Sequence, residues 1–286
     1  MTQLVLSLFP GIGLLDRAYE QQGFCIVRGP DVIWGGDIRS FHPPTGVFTG
    51  IIGGPPCQAF SVLMHLVRHN GHEARFGNLI PEYERVVREA QPAWFLMENV
   101  PGAPIPQVEG YVTRDQLVRD IWVGGLQPRL RRFSFGTRDG RKLDIEWAAL
   151  MGAERMQTVP AGHGPAPWQW PATLASDSGI AYEEARRKSG RLKRSIVADA
   201  RVASTGDRVR KDKGGGTLLH VGTVLPIEDA CEAMGLPRDF TEHMPFTMHG
   251  KRSVIGNGVP MAMGRAIAKA VKRAQADGES WKQGAM

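Results

Sequence analysis

Cysteine is scarce in this chain: three residues in 286, Cys25, Cys57 and Cys231, lie far apart. They are too few for a disulfide framework and too scattered for a closed zinc site. Each is expected to be a reduced thiol, and no metal is expected. Long apolar runs are missing as well. None approaches the ~20 residues of a membrane helix, so no membrane partner is expected. Residues Met1 to Phe9 lack the basic start and cleavage site of a secretory signal, which points to a protein working in the cytoplasm. No internal repeat is visible. The length suits one large domain, or one plus a smaller one.

Acidic residues are thin in one stretch. Between Ala185 and Lys213 eleven lysines and arginines stand against three aspartates (Asp199, Asp207, Asp212), a local balance of +8 in a chain whose whole charge is +6. Three glycines follow, Gly214 to Gly216. Such a run suits contact with a nucleic-acid backbone, or forms a solvated charged surface; charge alone leaves both open.

The first half alternates short apolar runs with turn signals and helical spacing, the pattern of βαβ units around a parallel sheet. Leu4 to Phe9, Val47 to Ile52 and Trp94 to Met97 read as strands. Between the last two, Leu79, Tyr83, Val86, Val87 and Ala90 mark one face of an amphipathic helix that Pro92 ends. Leu130 to Phe135 reads as a further strand. From about Asp139 to Val221 periodicity fades among prolines and glycines, the mark of a separate loop-rich region. Helical spacing returns from Pro260 to Ala274.

Phe9-Pro10-Gly11-Ile12-Gly13-Leu14 follows the first strand, where a tight glycine turn lets backbone approach a nucleotide-like ligand or simply turns the chain. Further on, Asp37 in Gly36-Asp37-Ile38 offers an acceptor for an amino group, or a cap. In Gly53-Gly54-Pro55-Pro56-Cys57-Gln58 two prolines stiffen the backbone before a cysteine at a strand exit. Prolines, glycines and polar neighbours do not build a core position, so Cys57 is the candidate reactive thiol, whereas Cys25 and Cys231 are expected in the core. Glu98, in Met97-Glu98-Asn99-Val100, ends the next strand and so shares a rim with Cys57. It is placed to hand over a proton, or to cap the following turn. In Gln127-Pro128-Arg129-Leu130-Arg131, period two puts both arginines on one face, where a guanidinium can hold Glu98 or a carbonyl.

This ordered set resembles the DNA cytosine-5 methyltransferase family. Phe9 to Gly13 is similar to its first cofactor motif, Gly36-Asp37-Ile38 to its adenine-binding motif, and Gly54-Pro55-Pro56-Cys57-Gln58 to its catalytic motif. Arg75 to Leu79 resembles the motif after the mobile catalytic loop, Glu98-Asn99-Val100 the cytosine-binding motif, and Gln127, Arg129 and Arg131 the Gln-x-Arg-x-Arg motif. Glu232 to Pro237 with Phe240 resembles the ninth motif, and Gly256-Asn257-Gly258-Val259-Pro260 the tenth. The match reaches both ends and spares the middle.

The resemblance implies an α/β fold: a Rossmann-like S-adenosylmethionine-dependent methyltransferase domain with a smaller loop-rich target-recognition domain. The catalytic part would be residues 1–138, the target-recognition domain 139–248, and residues 249–286 a segment returning to the catalytic domain. It implies S-adenosylmethionine as cofactor, held by Phe9, Gly11, Gly13, Leu14, Asp37, Ile38, Pro56, Leu79, Asn257 and Gly258. It implies double-stranded DNA as partner, a monomer, and catalysis by Cys57, Glu98, Arg129 and Arg131. Two departures stand out. The family usually has an acidic residue after the second strand to bind the cofactor ribose, but Phe24-Cys25-Ile26-Val27-Arg28 is followed only by Gly29-Pro30-Asp31, with Asp31 the nearest candidate, and Gly258 stands where a serine is common.

Cytosine's ring carbon 5 is a poor nucleophile. A thiolate adding to ring carbon 6, with a proton delivered to ring nitrogen 3, activates it. Neither carbon is reachable inside a duplex, so the base must be extruded, with Phe60 to Arg75 (His65, Arg68, His69, His72, Arg75) placed to close over it. Competing readings are an RNA cytosine-5 methyltransferase of the DNA-type branch, although no second cysteine accompanies Met97 to Val100, and a catalytically silent DNA-binding homologue, although Cys57 and Glu98 are both present. Amino-group methylation would need Asp/Asn-Pro-Pro-aromatic instead of Pro55-Pro56-Cys57.

Because the motifs stop near Gly136 and resume around Glu228, target specificity is expected between Asp139 and Met248, with the basic run supplying sequence-independent affinity. Changing Arg191, Lys193 and Arg194 together to Ala is expected to weaken binding to all duplexes alike, and to flatten the slope of log affinity against log salt by up to roughly three units of 0.9. The methylated sequence should not change. Salt titrations check this; an unaltered slope with relaxed sequence preference would mean that these residues read bases.

Overall fold

The computed structural model describes residues 3–56, 77–127, 129–148, 208–211, 218–221 and 226–284. Its centre is a six-stranded sheet. Strand β1 (Leu4–Leu8) pairs in parallel with β2 (Cys25–Arg28) on one side and with β3 (Gly50–Gly53) on the other. Strand β4 (Trp94–Asn99) continues the parallel set beside β3. Strands β5 (Val112–Arg119) and β6 (Leu130–Thr137) complete the order β2-β1-β3-β4-β6-β5. The chain order thus reverses at β1, and in sheets of this kind ligands bind beyond the carboxyl ends of the strands at that point.

The sheet is mixed rather than wholly parallel, because β6 runs antiparallel to β4, with Glu98 opposite Phe133 and Asn99 opposite Arg132. A period-two pattern specifies which side chains point inward and says nothing about strand direction, so the sequence could not show this. Strand β2 lies within Phe24 to Arg28, the second strand that the resemblance implies, whereas β5 and the hairpin of β7 (Arg208–Lys211) and β8 (Leu218–Val221) had no expected elements of their own. Their apolar alternation is short or interrupted by charge.

Helix α1 (Leu14–Glu20) links β1 to β2. Helix α2 (Ile80–Ala90) starts one residue after the expected Leu79, where Asn78 Oδ1 accepts from the Ile80 N–H at 3.0 Å. It carries Pro81 in its first turn, where a missing N–H costs nothing. Its buried face is Ile80, Tyr83, Val86, Val87 and Ala90, packed with Leu6, Leu8, Ile51, Phe95 and Met97. Tyr83 is fully buried and donates its hydroxyl to the Leu96 carbonyl at 2.8 Å, pinning α2 to β4. Tyr19, Phe24, Trp94 and Phe135 form an aromatic cluster with ring centroids 5.1 to 6.3 Å apart. Successive residues of β4 face opposite sides, so Phe95 and Met97 serve α2 while Trp94 serves the aromatics.

Further along come α3 (Ile227–Ala233), α4 (Met248–Asn257) and α5 (Met261–Gly284). Helix α5 begins just after Pro260 as expected, extends past Ala274, and buries Ile267, Ala268, Ala270 and Val271. The chain forms two compact units. One comprises Met1–Val118, Leu130–Trp147 and Met263–Met286, the other Arg119–Arg129 and Ala148–Ala262. Among the described residues no helix is long and apolar enough to cross a membrane.

Cys231 is buried as expected, and burial pushes its thiol up to about 11. Cys25, expected in the core, is exposed. It lies on edge strand β2, which has a neighbour on one side only.

Gly50 illustrates how tightly the sheet is packed, since a Cβ there would meet the Trp94 indole at 2.2 Å. Gly50→Ala is therefore expected to destabilise the protein by about 1–3 kcal/mol or more, as overpacked cores do. Urea denaturation of Gly50→Ala, Trp94→Phe and the double variant checks this. The double variant should lose less than the two single losses added together, and simple additivity would mean that the indole is not what the methyl group meets.

Candidate active site

The turn leaving β1 is built from residues with left-handed backbone: Phe9 at φ 54°, Gly11 at 57° and Gly13 at 76°. For Phe9 this is costly, on the order of 1–2 kcal/mol, and such strain persists where surrounding structure fixes it. Asp31, just past β2, does part of that fixing. Its Oδ2 accepts from the Gly11 N–H at 2.8 Å and its Oδ1 from the Ile33 N–H at 2.9 Å. Trp34 Nε1 donates to the Gly11 carbonyl at 2.8 Å. The two loops are thereby laced together, while the space where a Gly11 side chain would stand is open. Val32, Ile33 and Trp34 leave a consecutive apolar surface exposed beside it.

Below the turn, fully buried Asp16 accepts from Ser7 Oγ at 2.5 Å and from Arg28 Nε at 2.8 Å. Burial raises its carboxyl above the ordinary range, against the opposing hydrogen bonds of Ser7 and Arg28. Leu14 is buried at the start of α1. Asp37 caps a short 3-10 turn (Ile38–Ser40), accepting from the Arg39 N–H at 3.0 Å, and Ile38 is buried beneath it. Leu79 is buried at the entry to α2.

Strands β3 and β4 run parallel and end at the same edge of the sheet, where Gly54, Pro55 and Pro56 leave the first and Glu98 and Asn99 close the second. All six residues of β4 are buried, including Glu98 and Asn99. A carboxylate there needs a cation, and Arg131 on β6 provides it, its Nε donating to Glu98 Oε1 at 2.9 Å. The antiparallel register sets Glu98 opposite Phe133, so Arg131 is its diagonal neighbour, within reach of a long side chain. Gly54 passes so close that a Cβ would stand 3.0 Å from Glu98 Oε2. Asn99 Nδ2 donates to the Pro55 carbonyl at 3.1 Å, while its Oδ1 accepts from the Val100 N–H at 2.8 Å. The segment Gly54-Pro55-Pro56 is thus tied to the end of β4. Cys57 follows Pro56 in the sequence and lies outside the described residues, as does the whole stretch from Phe60 to Arg75.

Arg129, expected on the same face as Arg131, has different work. It precedes β6 and is buried, and its Nη1 donates to the Gly256 carbonyl at 2.8 Å. Within that second unit Gln127 Nε2 donates to the Ala233 carbonyl at 2.7 Å, and Asp120 Oδ2 accepts from the N–H groups of Leu126 and Gln127 at 3.0 and 3.1 Å. Asn257 is the exposed last residue of α4 and Gly258 caps it. Among the described residues no three His, Cys, Asp or Glu side chains gather as metal ligands.

The profile of C-5 cytosine-specific DNA methylases matches residues 33–115. Type II methyltransferase M.MthTI of Methanothermobacter thermautotrophicus is 23% identical over 96% of this chain and 98% of its own length. M.NgoPII of Neisseria gonorrhoeae is 34% identical over 34% of this chain and 33% of its own. The profile match and these relatives support the DNA cytosine-5 methyltransferase family that the motifs resemble. The Rossmann-like methyltransferase fold of this chain is shared with a solved structure assigned as a DNA modification methyltransferase from an E. coli prophage, at TM-score 0.54 and 20% identity, covering 96% of this chain and 100% of that one.

Asn99 as the tie on Pro55, and Ser7, Asp16 and Arg28 as the support beneath the glycine turn, had no role assigned from the sequence. A side-chain amide next to a candidate acid was the available signal for Asn99. Nothing local marks Ser7 and Arg28 as partners of Asp16, because they meet only through sheet pairing.

Removing one member of a buried ion pair leaves the other charge unpaired. Arg131→Leu is expected to cost about 1.5–3 kcal/mol, in the range of hydrogen bonds to charged groups. Glu98→Gln keeps an oxygen for the guanidinium and is expected to cost less. Urea unfolding followed by circular dichroism decides; equal losses would mean that the charge of the pair contributes nothing.

Proposed function

We propose that this chain transfers a methyl group from S-adenosylmethionine to ring carbon 5 of a cytosine turned out of double-stranded DNA. The observation carrying this reading is the Glu98–Arg131 pair at the strand rim, with the Gly54-Pro55-Pro56 exit held against it by Asn99. A proton source and the rigid lead-in to a thiol are what carbon-5 methylation requires.

The first turn and its surroundings fit the cofactor. Open backbone at Gly11, the exposed Val32–Trp34 surface and the carboxylate of Asp37 suit an amino-acid tail, an apolar ring and an amino group in turn. Phe9, Gly11, Gly13, Asp37, Ile38, Pro56 and Leu79 are the residues proposed to hold it, and Leu14 supports the turn from the core. When bound, S-adenosylmethionine supplies an electrophilic methyl group on a sulfonium centre.

Cys57 adds its thiolate to ring carbon 6 of the cytosine, and Glu98, carrying a proton when the base is bound, delivers it to ring nitrogen 3 and becomes the carboxylate, so that negative charge does not build up on the ring. Arg131 holds Glu98 in a single orientation and keeps its carboxylate compensated in a buried position. Arg129 donates to the Gly256 carbonyl. Once ring carbon 5 carries the methyl group, a base takes the carbon-5 proton, the bond from ring carbon 6 to sulfur breaks so that Cys57 departs as the thiolate, and the ring nitrogen 3 proton returns to Glu98. Residues 139–248 are proposed to select the DNA target, and the basic run to grip phosphates.

Duplex DNA carrying 5-fluorocytosine tests the chemistry, because fluorine cannot leave ring carbon 5 as a proton does. The full chain is expected to form a covalent adduct on Cys57, located by mass spectrometry. Cys57→Ser is expected to form none and to lose methyl transfer while still binding S-adenosylhomocysteine. An adduct on Cys25 or Cys231, or near-normal transfer by Cys57→Ser, would overturn the proposal.

A further inference from the structure

We infer that Arg85, which no sequence motif singled out, is a positioning residue for cofactor binding: it fixes the shape of the Asp37–Phe41 turn from below. The inference rests on the proposal that this turn holds the cofactor.

Arg85 sits in the middle of α2, and each nitrogen of its guanidinium is engaged. Nε donates to Glu82 Oε2 at 2.8 Å, and Nη1 donates to Glu89 Oε1 at 2.8 Å and faces His42 Nδ1 at 3.3 Å. Nη2 donates to the carbonyls of Ile38 and Phe41 at 2.8 and 3.1 Å. Glu82 and Glu89, one helical turn to either side, lock the fork into one orientation. Burial disfavours the Glu89 carboxylate, but hydrogen bonds from Arg85 and His42 outweigh it and hold that carboxyl below its ordinary range.

The turn needs this support. A three-residue 3-10 segment has poor hydrogen-bond geometry and cannot maintain itself. Its own bonds, Ser40 N–H to the Asp37 carbonyl and Phe41 N–H to the Ile38 carbonyl, are long at 3.3 and 3.2 Å. Ile38 anchors it by burial, and Nη2 grips its last carbonyls. The carboxylate of Asp37 is left half exposed at the opposite end. The neighbouring chain is stitched to the same helix, Thr45 Oγ1 donating to the Glu89 carbonyl at 2.8 Å and the Gly46 N–H to the Ala90 carbonyl at 2.9 Å. Helix α2 in turn is fixed to β4 by Tyr83. The candidate acceptor Asp37 therefore takes its position from β4, the strand that carries Glu98.

Lysine cannot replace Arg85, because an ammonium has three donors and no planar fork. If the turn keeps its shape only a tenth of the time without that fork, apparent cofactor affinity falls about tenfold, in proportion to the competent fraction. Arg85→Lys is thus expected to weaken S-adenosylhomocysteine binding, measured by calorimetry, by about tenfold. It should raise the S-adenosylmethionine KM similarly, with kcat on genomic DNA within about twofold of the parent. A purely structural defect would lower the active fraction, hence kcat, and leave KM alone; that outcome overturns the inference.

Asp37→Ala separates the two layers. If it weakens S-adenosylhomocysteine binding and Arg85→Lys does not, the role of Arg85 is wrong while the cofactor turn stands. If neither changes binding, the cofactor turn itself is misplaced and the inference falls with it. Should Arg85→Lys fail to fold, Glu82→Gln combined with Glu89→Gln decides, since it keeps the fork and removes its locks. A loss of several-fold in affinity is expected, and unchanged affinity overturns the inference.

Discussion

A carboxylate at the end of a fully buried strand must be met by a cation, and that requirement organises this molecule's candidate chemistry. Glu98 is the penultimate residue of β4, a strand whose every residue is buried, and Arg131 reaches it from β6. Desolvating two charges is expensive, so such a pair survives only where the backbone delivers both groups in good geometry. Here the antiparallel register does so, and Trp94, Phe95 and Phe135 along the same two strands hold that register by packing. The ion pair and the core beneath it are therefore one construction.

The neighbouring strand exit depends on the same edge. Gly54 lies against the Glu98 carboxylate and Pro55 is tied to Asn99, so the chain leading to Cys57 leaves the sheet beside the acid and not merely near it. Two consecutive prolines limit how far that path can wander. On the other side of β3, β1 delivers the glycine turn, and Asp31 and Trp34 lace it to the loop after β2. Backbone shape is here set mainly by side chains from other loops. The strained φ of Phe9 is held by its setting, with its N–H bonded to the Pro30 carbonyl at 3.3 Å.

Much of this was legible in sequence because it is local. The apolar run of β1, the spacing of Tyr83, Val86, Val87 and Ala90, and the turn chemistry around Gly11, Pro56 and Pro92 each carry their meaning within a dozen residues. The strand that carries Glu98 could be recognised for the same reason. Cys25 went astray because alternation cannot tell an edge strand from a central one; the same few apolar residues are buried or bare according to how many neighbours the strand has.

By itself, then, the sequence determined the α/β class, the order of the motifs and which residue types stand at strand exits, since those follow from periodicity and from the fixed conformations of glycine and proline. Tertiary structure alone decided the partnerships: Arg131 with Glu98 but Arg129 with Gly256, Asn99 with Pro55, Asp31 with Gly11, Arg85 with Ile38 and Phe41. Each joins groups on different elements through a long side chain with several donors or acceptors. Which of those finds a partner is fixed by strand register and helix placement, because a buried polar group must be satisfied by whatever the fold brings within about 3 Å of it.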